Sequence, residues 1–170
     1  ITWSESLIIF STKKGMVRKN KLIDVAKSGK RELRESGKIA IKLDLEDQLI
    51  GIKLANKEDD ILLSTKNGKC LRFPLEKLRL FSGLNSSGVK GIRLDKNNYV
   101  ISQAILMHSK IDINVRQDYL KAASENRKNA SNIKTEFSEL NKNEEFLLAL
   151  TTNGYGKRSS AYEYRISNRG

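Results

Sequence analysis

The sequence predicts an all-β protein assembled from propeller-like, four-stranded blades of about fifty residues each. Two observations carry that prediction. One β-hairpin pattern occurs three times, and a second strand-forming motif occurs twice at a matching offset. The hairpin is clearest at Ile61–Leu78, ILLSTKNGKCLRFPLEKL. There an apolar run leads into Ser64-Thr65, and Asn67-Gly68 reverses the chain. Asn-Gly between two β-prone runs is the strongest short-range hairpin signal, because a two-residue turn needs positive φ at both central positions. The other copies are Leu7–Leu22, LIIFSTKKGMVRKNKL, and Leu147–Tyr164, LLALTTNGYGKRSSAYEY.

Aligned on the turn glycines Gly15, Gly68 and Gly154, a threonine (Thr12, Thr65, Thr151) stands three residues before the turn in every copy. A cation (Lys19, Arg72, Arg158) stands four residues after it. The second motif, Gly37–Asp44 (GKIAIKLD) and Gly88–Asp95 (GVKGIRLD), repeats at an offset of 51 residues. Each copy runs on into a strand, Gln48–Ile52 or Tyr99–Gln103. One such blade leaves both faces bare, so neighbouring blades must stack and share a core. Residues 1–57 and 58–107 therefore read as two blades, and 146–170 as an incomplete third.

Gly15 and Gly68 are 53 residues apart, but Gly68 and Gly154 are 86 apart. The surplus falls in 108–145, which loses the alternation and fills with Lys, Asn, Ser and Glu. Val115, Tyr119 and Ala122 predict a short helix over 111–123, and 128–132 reads as loop. This segment is an insertion between blades, partly helical and partly flexible.

The net charge is +12 with a pI of about 9.8, which favours a polyanionic partner or an anionic membrane surface. The excess is not evenly spread. Residues 13–42 carry +8, 146–170 carry +3, and the insertion is neutral. A single cysteine, Cys70, excludes an internal disulfide and fits a reducing compartment. No apolar run is long enough to cross a bilayer, and the start has neither Met nor the basic region of a signal peptide. A cytoplasmic piece of a longer chain is expected.

Catalytic chemistry finds little material. His108 is the only histidine and reads as a surface residue, and one His with one Cys is too few for zinc. Glu46-Asp47 and Glu58-Asp59-Asp60 read as solvated turns, and Cys70 as a small buried hydrophobe. Neither phosphate-cradling glycine motif is present. The basic residues are patterned instead. Lys13, Lys14, Arg18, Lys19 and Lys21 surround the first turn, Lys66, Lys69, Arg72, Lys77 and Arg79 the second, and Lys157 and Arg158 follow the third. Equivalent hairpins on successive blades would set cations along a curved rim. Such a rim suits duplex DNA, a rod with one charge per ~1.7 Å of axis. No aromatic platform for single strands is evident.

The runs GKIAIKLDLEDQLIGIKL (Gly37–Leu54), Ile61–Asn98 and LTTNGYGKRSSAYEYRISNRG (Leu150–Gly170) resemble the C-terminal domain of the bacterial DNA gyrase A subunit. The combination T-x-N-G-Y-G-K-R with G-V-K-G-I-R-L upstream is specific, and only 108–145 lacks a counterpart. The resemblance implies a β-pinwheel whose blades exchange strands and whose rim wraps double-stranded DNA with positive handedness. That wrapping supports ATP-dependent negative supercoiling by an A2B2 holoenzyme of gyrase A and B subunits, bacterial, cytoplasmic and nucleoid-associated. Carried onto this chain, the DNA-binding residues would be Arg18, Lys19, Arg72, Lys90, Arg93, Lys157 and Arg158, with the loop residues Arg31, Arg34 and Arg79. No cofactor or metal site is implied here, since ATP and Mg act through other domains. The cleaving tyrosine also belongs elsewhere, so no catalytic residue is expected. The family's seven-residue Gln/Arg/Gly/Lys box is not found in these residues. Rival readings are the related domain of the topoisomerase IV A subunit, a protein-interaction propeller, or an RNA-binding basic module.

Overall fold

A computed structural model describes residues 5–26, 39–129 and 134–170. They divide into two units, Ile1–His108 with Ile166–Gly170, and Ser109–Arg165. In the first unit β1 (Leu7–Thr12) and β2 (Met16–Lys21) form the first hairpin, followed by α1 (Leu22–Ala26). Strand β3 (Leu49–Ala55) pairs antiparallel with β1. The second hairpin is β4 (Asp60–Thr65) with β5 (Cys70–Pro74), and β8 (Val100–Leu106) pairs with β4 as β3 does with β1. Two short strands, β6 (Leu80–Phe81) and β7 (Val89–Lys90), cross back and pair with β2. The sheets therefore do not follow the 57/58 boundary read from sequence. Among the described residues, strands from the second repeat join the first sheet, and the second sheet has three strands.

The hairpin turns are built differently from the two-residue form expected. Thr65 carbonyl accepts from Gly68 N–H at 2.9 Å, and Thr65 N–H donates to Lys69 carbonyl at 2.9 Å. This is a three-residue loop in which only the glycine is left-handed, with φ of +81° at Gly15, +81° at Gly68 and +83° at Gly154. The constant threonine has a task too. Its hydroxyl accepts from Met16 N–H in the first copy and Tyr155 N–H in the third, and donates to Lys69 carbonyl in the second.

The offset of 51 holds at the level of atoms. Glu46 (φ +59°) and Asn97 (φ +64°) occupy matching left-handed positions. Beside them Asp47 Oδ1 accepts from the Lys14 and Gln48 amides at 2.9 and 2.8 Å. Asn98 Oδ1 accepts from the Asn67 and Tyr99 amides at 3.3 and 3.0 Å. Each side chain locks a hairpin turn to the strand that flanks it. Asp47 is thus buried rather than a solvated turn residue. Gly88 of the GVKGIR motif has φ +99°, and a Cβ there would lie 2.3 Å from the Val17 carbonyl oxygen. That close approach is what lets β7 join β2.

One apolar core unites both sheets, with Ile9 and Val17 from the first packed among Ile61, Leu63, Phe73, Ile92 and Val100. The opposite face of β1 is buried as well, Ile8 and Phe10 packing with Ile41. Three residues expected on a DNA-binding rim lie in this interior: Arg18 (0% exposed), Lys19 (7%) and Arg72 (3%). The reason is strand alternation with both faces covered. Arg18 donates to Asn20 Oδ1, to the Leu84 and Ser86 carbonyls at 2.8 and 2.7 Å, and to the Ala40 carbonyl. Burial holds its guanidinium below the usual arginine range. Lys19 Nζ donates to the Leu75 carbonyl at 2.6 Å, and burial likewise lowers its ammonium pKa. Arg72 Nε meets Asp60 Oδ2 at 2.8 Å and Nη2 meets the Met107 carbonyl at 2.7 Å. Asp60 Oδ1 also lies 2.7 Å from His108 Nδ1, so neither residue is the solvated one anticipated. Cys70 is exposed instead of buried, because it starts the edge strand β5 beside the turn.

In the second unit α2 (Ile113–Asn129) runs past the predicted helix end, through residues expected as loop. Its last turn is tied down by Arg127, whose Nε donates to the Ala123 carbonyl and whose Nη2 pairs with Glu144 at 3.4 Å. After α3 (Ser138–Lys142) comes the third hairpin, β9 (Phe146–Leu150) with β10 (Gly156–Ser160). Tyr119 stands edge-on to Phe137 and to Tyr162, with ring centroids 5.7 and 5.6 Å away. Its hydroxyl donates to Glu144 at 2.9 Å, and burial with that carboxylate raises its pKa. The insertion and the end of the third hairpin thus share one aromatic core. Among the described residues β9 pairs with β10 alone, and Phe146, Leu148 and Leu150 are exposed. No helix among the described residues is long and apolar enough to cross a membrane.

Asp47 Oδ2 is buried without a hydrogen-bond partner among the described residues, whereas Asn98 Nδ2 donates to Thr65 Oγ1 at 3.2 Å. Asp47→Asn should therefore raise stability by about 1 kcal/mol, read as a shifted urea midpoint. Arg72→Leu should act oppositely, costing about 3–5 kcal/mol by taking the guanidinium away from buried Asp60, which keeps His108 beside its other oxygen. A cost under about 1 kcal/mol would show that the Arg72–Asp60 pair holds nothing together.

Candidate nucleic-acid interface

The turns gather one group of the first unit's accessible cations, while Lys21, Lys53, Lys57, Lys77 and Arg79 are exposed elsewhere. Lys13 carbonyl accepts from Val100 N–H, and Lys66 N–H donates to the Tyr99 carbonyl, both at 2.9 Å. The first and second hairpin turns are therefore stitched to successive residues of one segment. Gly15 carbonyl accepts from Gly91 N–H at 2.8 Å, which brings the loop after β7 to the same edge. Lys69 Nζ reaches the Arg93 carbonyl at 3.5 Å, and Arg169 Nη1 donates to the Lys90 carbonyl at 2.7 Å. Lys13, Lys14, Lys66, Lys69, Lys90, Arg93 and Arg169 thereby line one margin. Lys13 is half-buried and the others are exposed.

Tyr99 sits among them. The Lys13 and Lys66 ammonium groups lie 4.9 and 5.5 Å from its ring centroid. Such contacts contribute about 0.5–1 kcal/mol each at exposed sites, enough to bias two flexible side chains toward one ring. Exposed carboxylates in the adjoining turns are Asp44, Glu46 and Asp95, and none forms an ion pair among the described residues. The margin keeps its positive charge.

Of the residues named from sequence, Lys90 and Arg93 belong to this margin. Arg79 is exposed and stacked on Phe81 at 4.3 Å. It adjoins Leu80, which pairs with Lys19, so it lies about 13 Å along β2 from the turn. Arg31 and Arg34 fall outside the described residues. Lys157 and Arg158 are exposed in the second unit, Arg158 4.7 Å from the Phe146 ring. Arg18, Lys19 and Arg72 are interior struts. Sequence reasoning misses Tyr99 and Arg169, which only folding brings to the turns. Among the described residues no group of three His, Cys, Asp or Glu side chains could hold a metal ion.

Comparison with known proteins gives these features a family. The model for "DNA gyrase C-terminal domain, beta-propeller" matches residues 31–56, 59–103 and 145–170. The DNA gyrase A subunit of Rickettsia bellii (strain RML369-C) is 40% identical over 181 aligned residues, covering 99% of this chain and 19% of the relative. That of Granulibacter bethesdensis (strain ATCC BAA-1260 / CGDNIH1) is 38% identical, covering 99% and 20%. The chain spans about a fifth of the length of these relatives. A solved C-terminal domain of DNA topoisomerase IV superposes with TM-score 0.68 at 21% identity, covering 97% of this chain and 39% of that one. A DNA gyrase A C-terminal domain does so with TM-score 0.66 at 18% identity, covering 98% and 42%. Repeated hairpins, exchanged strands and a matching family model converge: this chain belongs to the DNA gyrase C-terminal domain family.

Proposed function

We propose that this chain binds duplex DNA through its sugar-phosphate backbone, without reading sequence, and bends it around the basic margin of the first unit. The supporting observation is the convergence of Lys13, Lys14, Lys66, Lys69, Lys90 and Arg93 from three separate segments onto one edge. Long cations on turns suit phosphates, since phosphate contacts position a duplex without carrying base information. Bending 20–30 base pairs through 40–90° costs on the order of 1–6 kcal/mol, and several phosphate contacts offset that. Within a whole gyrase A subunit, joined with gyrase B subunits in an A2B2 enzyme, this wrapping would present a DNA crossing of fixed hand. ATP hydrolysis and strand cleavage in other domains would then convert that crossing into negative supercoils. The chain itself contributes binding and shape, and no catalytic group.

The test is a salt titration of binding to long linear duplex. The logarithm of affinity should fall with log salt at about 0.9 per phosphate contacted. Substituting Lys66, Lys69 and Arg93 together by Gln should reduce that slope by about 3 while leaving the fold intact by circular dichroism. An unaltered slope would remove the margin from the interface. Ligating nicked circles on the chain and measuring linking difference separates bending with a hand from simple adhesion. No linking change would leave binding but dismiss wrapping.

A further inference from the structure

The second unit carries an open cleft of about 570 Å3 between the C-terminal half of α2 and strand β10. Lys121, Ser124, Arg127 and Lys128 line it from the helix, and Arg158 and Ser160 from the strand. Positions 121, 124 and 128 recur at helical spacing, so they form one stripe. Four cations face a single carboxylate in this lining, and that one is already engaged. Glu163 Oε2 lies 3.6 Å from Lys157 Nζ, and its Oε1 accepts from the Ser160 amide at 3.3 Å. Lys121, Lys128 and Arg158 pair with no carboxylate among the described residues.

Two of the guanidinium groups are held in place by one ring. Arg127 and Arg158 lie 5.4 and 4.7 Å from the centroid of Phe146. Phe146 stands in the repeat where the second hairpin has Asp60, as Arg158 stands where that hairpin has Arg72. The carboxylate that buries and neutralises Arg72 is thus replaced by a ring, which anchors Arg158 but leaves its charge available. Planar guanidinium forks match phosphate oxygens in pairs.

We infer that this cleft is a second phosphate-binding site, joining the insertion helix to the third hairpin and gripping the backbone of duplex DNA. The inference rests on the DNA-binding reading above. Leu120 is the one apolar side chain in the lining, while pockets for small molecules are lined mainly by apolar groups. A passing polyanion fits such an open, cation-lined surface better than a free nucleotide. The insertion, neutral as a whole, thereby directs Lys121 and Lys128 toward one ligand, while Arg127 stays paired with Glu144.

The whole chain and its Lys121→Gln/Lys128→Gln variant would be titrated with a duplex of about 30 base pairs by fluorescence anisotropy across a salt series. Both lysines are exposed, so the variant should melt as the parent does. Loss of two contacts should lower the log–log salt slope by about 2 and weaken binding about tenfold near 0.1 M salt. An unchanged slope in the variant, with the parent binding normally, overturns the cleft and leaves the margin of the first unit standing. Failure of the parent to bind duplex overturns both. Nucleoside triphosphate or polyglutamate bound as tightly as duplex, and lost in the variant, would assign the cleft to another anion and also overturn the inference.

Discussion

A buried cation must find oxygen acceptors, and in the first unit these come from segments distant in sequence. Arg18 reaches carbonyls at Leu84, Ser86 and Ala40, Lys19 reaches Leu75, and Arg72 reaches Met107 as well as Asp60. A guanidinium stripped of water and left unpaired would be far costlier than an apolar residue of similar size. These side chains therefore tolerate little displacement of the loops they hold. They fix where β6 and β7 cross to the first sheet, and so fix the loop that brings Lys90 and Arg93 beside the first turn. The apolar core supplies the bulk of the burial. The buried cations supply the register.

This division accounts for what the sequence could and could not disclose. The number of hairpins, their turn glycines and the 51-residue offset were legible because each follows from local backbone demands that recur with the fold. The role of the recurring cation was not. Lys19, Arg72 and Arg158 share an offset, and constancy of charge looked like a surface for ligand. In two copies that constancy marks an interior strut. Residues at the turn tips were the better guide to the accessible charge, since Lys14 and Lys66 remain exposed there. Tyr99 carried no local signal, since its meaning arises only when two turns close around it.

The insertion shows the opposite balance. Helical spacing of Val115, Tyr119 and Ala122 located α2, whose last described turn also carries Arg127, paired with Glu144 seventeen residues on. Strand alternation assigns Cys70 a face but not whether another segment covers it, and His108 meets a partner, Asp60, 48 residues away.

The third hairpin differs from the first two in its strand pairing. In the first two hairpins the leading strand acquires a further neighbour, β3 for β1 and β8 for β4. Among the described residues β9 acquires none, and it presents a bare row of peptide groups flanked by Phe146, Leu148 and Leu150. Such a margin is a template for any extended peptide. An added strand at this edge would complete the sheet through main-chain pairing, as β3 and β8 do for the first two hairpins.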